Sequence, residues 1–195
     1  GGWGEGRTGA AEAGLDPRVR YTNVPDKGSI IDCVEGVPLY AADARVRIPA
    51  ALRKLHALPP FPGRPHHINT TCMFLLHKGP ALDGFLKVFQ AANILPQSKY
   101  DELLGLHARM GEAYPLDERD MVPSHNDLKP ENIVFDGDHA WLVDWEAAFL
   151  NNRYNDLAVI ANFIVTNEAE ERAYLQEYFE QAPDEYQLAR YYVMQ

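Results

Sequence analysis

The sequence predicts an α+β fold in which short strands lie near the N-terminus and in the middle of the chain, and helices make up most of the rest. β-Prone runs flank turn-forming residues at positions 19–34 and again at 132–144. Elsewhere, apolar residues recur at the three- and four-residue spacing of a helix with one buried face. These two observations together predict helices packed around a small hairpin.

Composition narrows the possible functions. Hydrophobic residues make up 46% of the 195 residues, which is ordinary for a soluble globular protein of one domain, or of one lobe plus part of another. No apolar run reaches the roughly 18 residues that cross a bilayer, so no membrane association is expected. The net charge of −10 argues against generic nucleic-acid binding. It is compatible with a cationic ligand, although most acidic proteins are simply well solvated.

The two cysteines, Cys33 and Cys72, have neither disulfide nor zinc spacing, which predicts a cytoplasmic location. His66, His67 and His77 also match no zinc pattern, so residues 61–97 are interpreted as a variable insertion. The sequence leaves the oligomeric state open.

The N-terminal segment is glycine-rich, yet it does not read as a phosphate-binding loop. Such a loop should be followed by a strand that carries a lysine, whereas the next lysine is Lys27, beyond a turn. We therefore interpret residues 1–14 as an irregular end or linker, in which Ala10–Ala13 end a helix and Gly14 caps it. Strands are predicted at Val19–Asn23 and Ser29–Val34 and could form an ordinary hairpin.

Helices are predicted from apolar stripes and capping residues. Ile48–His56 has an apolar face, with Pro49 in its first turn, and His56 is interpreted as packed and hydrogen-bonded. Five further helices are expected: a stripe over Leu82–Phe89, one opened by Ser98 with Asp101, an apolar buried one over Leu157–Val165, one capped by Asn167 with Glu170, and one opened by Pro183.

The central hairpin gathers polar side chains at one end. The runs Asn132–Phe135 and Ala140–Asp144 are separated by an Asp-Gly turn. Asp127 and Asn132 stand where the chain enters this hairpin, and Asp144 where it leaves. Their oxygens are the kind of ligand that Mg²⁺ shares with substrate phosphates. The alternative is an acidic, turn-rich surface, because Asp and Asn also favour turns.

The segment around this hairpin resembles a known family. His125-Asn-Asp-Leu-Lys-Pro-Glu-Asn132 is similar to the catalytic loop of protein kinases. The sequence then departs from protein kinases, since Asp144-Trp-Glu stands in place of Asp-Phe-Gly. Asp156-Leu-Ala follows Asp144 by only 12 residues, which leaves no room for a peptide-docking segment. This second half resembles the superfamily of aminoglycoside phosphotransferases and choline/ethanolamine kinases.

The resemblance implies a protein-kinase-like fold with an incomplete β N-lobe and hinge over residues 1–36 and a mainly helical C-lobe over residues 37–195. The chain is then expected to begin after the glycine-rich loop and the lysine strand of that family, and to end before its C-terminus. The backbone at the hinge, residues Asp32, Cys33, Val34 and Glu35, would meet the adenine of a nucleotide.

The resemblance also implies roles for the site residues. Asp127 would orient the acceptor hydroxyl and take its proton, and Lys129 would contact the γ-phosphate. Asn132 and Asp144 would bind Mg²⁺. Glu146 would assist them, because residues i and i+2 share a face in extended backbone. His125 and Asp156 would hold the catalytic loop in place.

The implied function is an ATP- and Mg²⁺-dependent phosphotransferase that acts on a hydroxyl of a small molecule, of choline/ethanolamine or aminoglycoside type. Asn151-Asn-Arg-Tyr154 favours the choline side, and aromatic residues could bind a cationic acceptor through cation–π contacts: Trp145, Tyr154, Tyr178, Tyr186, Tyr191 and Tyr192. A catalytically impaired module that binds a nucleotide or a partner is the alternative. A protein kinase is disfavoured.

Overall fold

The computed structural model describes residues 3–23, 25, 28–37, 41–60, 88, 90–92, 94–113, 117–137 and 139–195. The predicted stripe residues Leu82, Phe85, Leu86 and Phe89 lie outside these ranges, as do His66, His67, Cys72 and His77. The chain divides into two compact units, residues 1–65 with 119–195 and residues 66–118. The site residues all belong to the first unit. The predicted division at residue 36 stays a prediction.

Helices and three small antiparallel sheets form the described fold. The α-helices are α1 (Trp3–Glu12), α2 (Ala41–His56), α3 (Gln97–Ala113), α4 (Arg153–Ile164), α5 (Glu168–Phe179) and α6 (Glu185–Met194). The strands are β1 (Val19–Asn23), β2 (Gly28–Ile31), β3 (Met121–Ser124), β4 (Ile133–Asp136), β5 (His139–Leu142) and β6 (Phe149–Asn152). Strand β1 pairs with β2, β3 with β6, and β4 with β5.

Helix α1 corrects the prediction of an irregular N-terminal segment. It begins at Trp3 and includes glycines that each weaken a helix. Two long-range contacts offset this cost, since Arg7 donates to Asp16 at 2.6 Å and to the Ser29 hydroxyl at 2.7 Å. The predicted cap is confirmed: Gly14 has φ 69°, and the Leu15 amide donates to the Ala10 carbonyl at 2.8 Å.

Helix α2 begins seven residues earlier than predicted, at Ala41 instead of Ile48, so Pro49 lies inside it. A proline there removes one helical hydrogen bond. Burial of Pro49, Ile48, Leu52 and Leu55 against the core offsets that loss. The predicted apolar face is confirmed, and it packs in the same buried cluster as the β4–β5 hairpin.

The predicted β4–β5 hairpin is confirmed, with Ile133 opposite Leu142 and Asp136 opposite His139. Its inward side chains Ile133, Phe135 and Leu142 are buried in one cluster with apolar residues of α2, α4 and α5. Strand β2 is shorter than predicted, because it ends at Ile31 and leaves the proposed hinge residues outside the sheet.

One of the two predicted starts of the last helices is confirmed and the other is wrong. Asn167 caps α5 through the Glu170 amide, as predicted. Helix α6 is instead capped by Asp184, with Pro183 outside it. Helix α4 begins at Arg153 after an Asn152 cap, and its Phe163 is 57% exposed, so it is not buried all round.

Helix α3 differs from its predicted form. It begins at Gln97 instead of being opened by Ser98, and Asp101 accepts from the Gln97 side chain. Leu103 in this helix is 45% exposed. Within the described residues, no helix combines the length and apolar character needed to span a membrane.

Two glycines, one inside α1 and one just after its end, allow a matched test of glycine conformation. Gly14→Ala should destabilise the protein by about 1 kcal/mol, because alanine must adopt the left-handed conformation there. Gly9→Ala, in the helix interior with nothing within 4 Å of an added Cβ, should stabilise it by about 0.5–1 kcal/mol. Denaturant unfolding of both variants measures this. Equal shifts of the same sign would contradict the cap assignment.

Candidate active site

The segment between β3 and β4 places Asp127 beside Lys129 and Asn132. Lys129 Nζ donates to Asp127 Oδ2 at 3.1 Å, and Asn132 Nδ2 donates to the same oxygen at 3.0 Å. Asn132 Nδ2 also donates to the Asp127 carbonyl at 2.8 Å, which fixes the amide orientation because a carbonyl only accepts. Asp127 Oδ1 and Asn132 Oδ1 have no hydrogen-bond partner in the described part of the chain.

Lys129 carries a positive charge at this exposed position. The hydrogen bond and the charge of Asp127 raise the pKa of Lys129 above its ordinary value, with smaller contributions from Asp144 and Glu131. Its side chain is 44% exposed and that of Asp127 is 40% exposed. An exposed ion pair of this kind adds little stability. Both groups therefore face solvent, where a ligand can reach them.

Asp144 follows β5 at the open end of the hairpin, next to Asn132, which precedes β4. The Val143 amide donates to the Asn132 carbonyl at 2.9 Å, which joins the two segments. Asp144 adopts the left-handed conformation, with φ 66° and ψ 62°, and a 3₁₀ turn over Trp145–Ala147 follows. Its side chain is exposed and has no hydrogen-bond or ion-pair partner among the described residues.

The backbone after Asp144 overturns the physical basis of one prediction. Glu146 was expected to share a face with Asp144 in extended backbone, but the left-handed residue and the 3₁₀ turn replace that conformation. The alternation of side chains along a strand does not apply to such a turn. Glu146 is exposed on it. A role at a metal, which the resemblance also implies, stays a prediction.

The buried Asp156 carboxylate accepts hydrogen bonds from the backbone of the loop between β3 and β4. Its Oδ2 accepts from the His125 amide and its Oδ1 from the Asn126 amide, each at 2.8 Å. Burial alone would raise the pKa of Asp156, but the hydrogen bond with His56, the electrostatic contributions of His56 and His125, and the hydrogen bond from the His125 amide outweigh it and hold the pKa below its ordinary value. Asp156 also lies in the first turn of α4, where the helix dipole favours a carboxylate.

His56 completes this network, as its predicted packed and hydrogen-bonded state requires. His56 Nε2 lies 3.3 Å from Asp156 Oδ2, and Nδ1 lies 2.7 Å from the Tyr178 hydroxyl. Burial lowers the pKa of His56 in spite of its contact with Asp156. A neutral ring that donates from Nε2 to Asp156 and accepts at Nδ1 from Tyr178 satisfies both contacts.

His125 connects the catalytic loop to the segment before Asp144. Its Nε2 lies 2.9 Å from the Val143 carbonyl, which can only accept, so the proton is on Nε2. The ring packs against Trp145 at a centroid distance of 4.7 Å. Burial lowers the pKa of His125 as well. The side chain therefore supports the loop and does not face solvent.

The residues directly after the proposed hinge, Gly36 and Val37, contact the hairpin. The Asp32 carboxylate pairs with the Arg20 guanidinium at 2.6 and 2.9 Å. The backbone amide of Asp32 donates to the Arg18 carbonyl. Cys33 is exposed. The Val37 amide donates to the Phe135 carbonyl at 2.7 Å. At Gly36 an added Cβ would overlap the Val134 side chain, so this close approach requires glycine.

The donor set fits a magnesium site made jointly with a ligand. Asn132 Oδ1 and the Asp144 carboxylate lie on adjacent segments and have no partner within the described ranges. Mg²⁺ commonly takes one or two protein oxygens and completes its shell with phosphates and water. Across the described ranges, no three His, Cys, Asp or Glu side chains form a group able to hold a metal ion. The protein oxygens alone would therefore leave most of the shell to ligands.

Asn126 is a residue of this site that the sequence does not predict. Asn126, between His125 and Asp127, has φ 67°, and its side chain contacts both the β6 strand and the turn after Asp144. The only available signal was the tolerance of asparagine for the left-handed conformation.

The sequence matches the profile of the phosphotransferase enzyme family (APH) over residues 11–190, which includes the catalytic loop and the hairpin. No curated protein matches the sequence.

Solved structures share the fold. A choline/ethanolamine kinase family protein from Mesorhizobium loti matches with a TM-score of 0.76 and 22% identity, over 99% of this chain and 64% of the other. The choline kinase LicA from Streptococcus pneumoniae gives 0.62 and 18%, over 94% and 64%. Aminoglycoside phosphotransferase APH(3'')-Id from Streptomyces rimosus, in complex with ADP and streptomycin, gives 0.62 and 20%, over 98% and 79%.

These matches confirm the predicted protein-kinase-like fold. At such identities they show the fold alone. The chain spans less than two thirds of the length of the first two structures.

The two neutral histidines predict an acid-sensitive fold. Because their folded-state pKa values are depressed, their contribution to stability is fully present above the unfolded-state value of about 6.5 and is lost as the pH falls below it. The free energy of unfolding should fall by up to about 1.4 kcal/mol per pH unit for each histidine. His56→Gln should reduce this slope by about one proton, as measured by denaturant unfolding at several pH values. An unchanged slope would contradict the neutral state of His56.

Proposed function

Since the chain belongs to the phosphotransferase enzyme family, we propose that the protein transfers the γ-phosphoryl group of ATP to a hydroxyl of a small molecule, with Mg²⁺. The observation that carries this proposal is the arrangement at Asp127. One carboxylate oxygen is held by Lys129 and Asn132, and the other has no partner among the described residues. A fixed carboxylate with one available oxygen suits a group that orients an acceptor hydroxyl.

Asp127 is the proposed base. The hydroxyl oxygen of the acceptor forms a bond to the γ-phosphorus, and the bond between that phosphorus and the β–γ bridging oxygen breaks, which releases ADP. The hydroxyl proton passes to Asp127 Oδ1 and then to solvent. An aspartate can take this proton because the hydroxyl becomes acidic only as its bond to phosphorus forms. Positioning therefore supplies most of the rate enhancement.

Lys129 and the Mg²⁺ held by the oxygen ligands are proposed to neutralise the negative charge of the nucleotide phosphates. The Lys129 ammonium, which remains protonated at neutral pH, can meet a phosphate oxygen while it restrains Asp127. Asn132 Oδ1 and Asp144 would hold Mg²⁺, with Glu146 contributing directly or through water. The ion, when bound, neutralises charge on the nucleotide phosphates. Asn132 serves this purpose without another negative charge beside those phosphates.

The nucleotide base is proposed to contact the backbone of residues 32–35. The Asp32 side chain is held by Arg20, and the next residues are fixed to strand β4 through Val37. The segment is thereby tied to the hairpin that carries Asn132. This tie supports a common site for the adenine and the phosphates, in which His125 and Asp156 act only by holding the loop.

The acceptor is proposed to be of choline/ethanolamine or aminoglycoside type, on the basis of the family and the acidic net charge. The aromatic residues give this proposal little support. Trp145, Tyr154, Tyr178 and Tyr191 are buried, so they present no ring face to a cationic acceptor. Tyr186 is 42% exposed, but Arg119 and Arg190 already lie over its ring. Of the six, Tyr192, which is 41% exposed, remains a candidate.

Three carboxylate-to-amide variants test the chemistry. Asp127→Asn removes the base and Asp144→Asn removes a metal ligand, so each should lower kcat by at least about a hundredfold. Asp136→Asn makes the same change at the opposite, exposed end of the hairpin and should stay within about twofold of wild type. Steady-state ATP turnover by the full-length protein measures all three. Near-normal turnover in both site variants would refute the mechanism.

The acceptor class is tested by ATP consumption with choline, ethanolamine, thiamine, aminoglycosides and a generic peptide. We expect turnover with a small-molecule hydroxyl and none with the peptide. Nucleotide binding without turnover on any acceptor would instead support the catalytically impaired module.

A further inference from the structure

Asn126 makes an unusual number of contacts for a loop side chain. Its Nδ2 donates to the Ala147 carbonyl at 3.0 Å and lies 3.3 Å from the Ser124 carbonyl and 3.4 Å from the Phe149 carbonyl. Its Oδ1 accepts from Asn151 Nδ2 at 2.7 Å and lies 3.5 Å from Asn155 Nδ2. Carbonyl oxygens on one side and amide donors on the other leave a single orientation for this side chain.

The Asn126 side chain connects the segments that follow β3 and precede β6, just beyond the last backbone pair of these strands. Ser124 is the last residue of β3 and lies opposite Phe149, the first residue of β6. At Asn126 the chain turns away, with φ 67°, and the side-chain amide then contacts the carbonyls of Phe149 and of Ala147 before it. The loop that leads to Asp127 is thereby attached to the turn that follows Asp144.

Two consecutive loop residues thus flank Asp144 from both sides. His125 holds the carbonyl of Val143, the residue before Asp144, and Asn126 holds that of Ala147, three residues after it. The Asp144 carboxylate has no partner of its own among the described residues. Its place relative to Asp127 therefore depends on these two attachments together with the hydrogen bond from the Val143 amide to the Asn132 carbonyl.

We propose that Asn126 is a positioning residue that fixes the turn at residues 144–147 relative to Asp127 and thereby sets the affinity for the magnesium nucleotide. This inference rests on the proposed function of the same site. The residue type matters. Aspartate tolerates the same backbone but would direct a negative oxygen at carbonyl oxygens, whereas glycine tolerates the backbone and leaves the turn unattached.

The test uses Asn126→Gly and Asn126→Asp in the full-length protein, with two readouts. Hydrogen–deuterium exchange of amides 145–149, measured without nucleotide, should be at least about tenfold faster in both variants. Calorimetric titration with ATP at saturating Mg²⁺ should show about tenfold or greater weakening, the range found when groups that orient metal ligands are lost.

Tyr174→Phe provides the control. It removes the hydrogen bond from a buried hydroxyl to the Leu157 carbonyl, so it should lower Tm without changing either readout. Faster exchange and weaker binding in the Asn126 variants but not in this control would support the inference.

Wild-type exchange rates or wild-type affinity in both Asn126 variants would overturn it, whether or not an acceptor has been found. A wild-type protein that binds no ATP at any Mg²⁺ concentration would overturn the proposed function, and with it the link between Asn126 and nucleotide affinity. Faster exchange in the variants would then remain as separate evidence for the attachment alone.

Discussion

The carboxylate of Asp156 is the interaction on which the rest of the site depends. It is fully buried, and both of its oxygens accept from consecutive backbone amides of the catalytic loop, with His56 as a third donor. A buried carboxylate is costly unless it is hydrogen-bonded in this way. Leaving either amide unpaired would cost about 1–3 kcal/mol. The loop therefore has one well-defined conformation, and Asp127 is the next residue along it.

The parts of the site that are close in sequence could be predicted from it. Asp127 and Asn132 are joined by a short turn. The Asp-Gly hairpin that follows reverses the chain and brings Asp144 back beside Asn132, so local turn chemistry places these residues together. The partners of Asp156 could be assigned only through the family resemblance. His56 lies 100 residues from Asp156 in the sequence, and no spacing rule connects them.

The errors have equally physical causes. Proline favours the first turn of a helix, so the sequence predicts a start at Ile48, but packing of α2 retains Pro49 within the helix. The glycines of α1 predict irregular structure, but the hydrogen bonds from Arg7 to Asp16 and Ser29 stabilise the helix. The role of Glu146 was inferred from extended backbone, whereas the left-handed conformation at Asp144 depends on tertiary contacts that no sequence pattern reveals.

Solved structures that share this fold are named for different acceptors. Structures named as a choline kinase and as an aminoglycoside phosphotransferase resemble this chain to the same degree, each with a TM-score of 0.62. The shared fold is therefore common to proteins named for different acceptors and does not by itself select between them.

The central claim is that a buried carboxylate organises the loop that performs phosphoryl transfer. It is tested most directly by the ATP turnover of Asp156→Asn in the full-length protein, at a temperature where circular dichroism shows the variant to be folded. The account predicts a fall in kcat of at least about a hundredfold, because Asp127 is no longer held for attack and a misplacement of about 1 Å has that effect. A folded Asp156→Asn variant with wild-type turnover would contradict it.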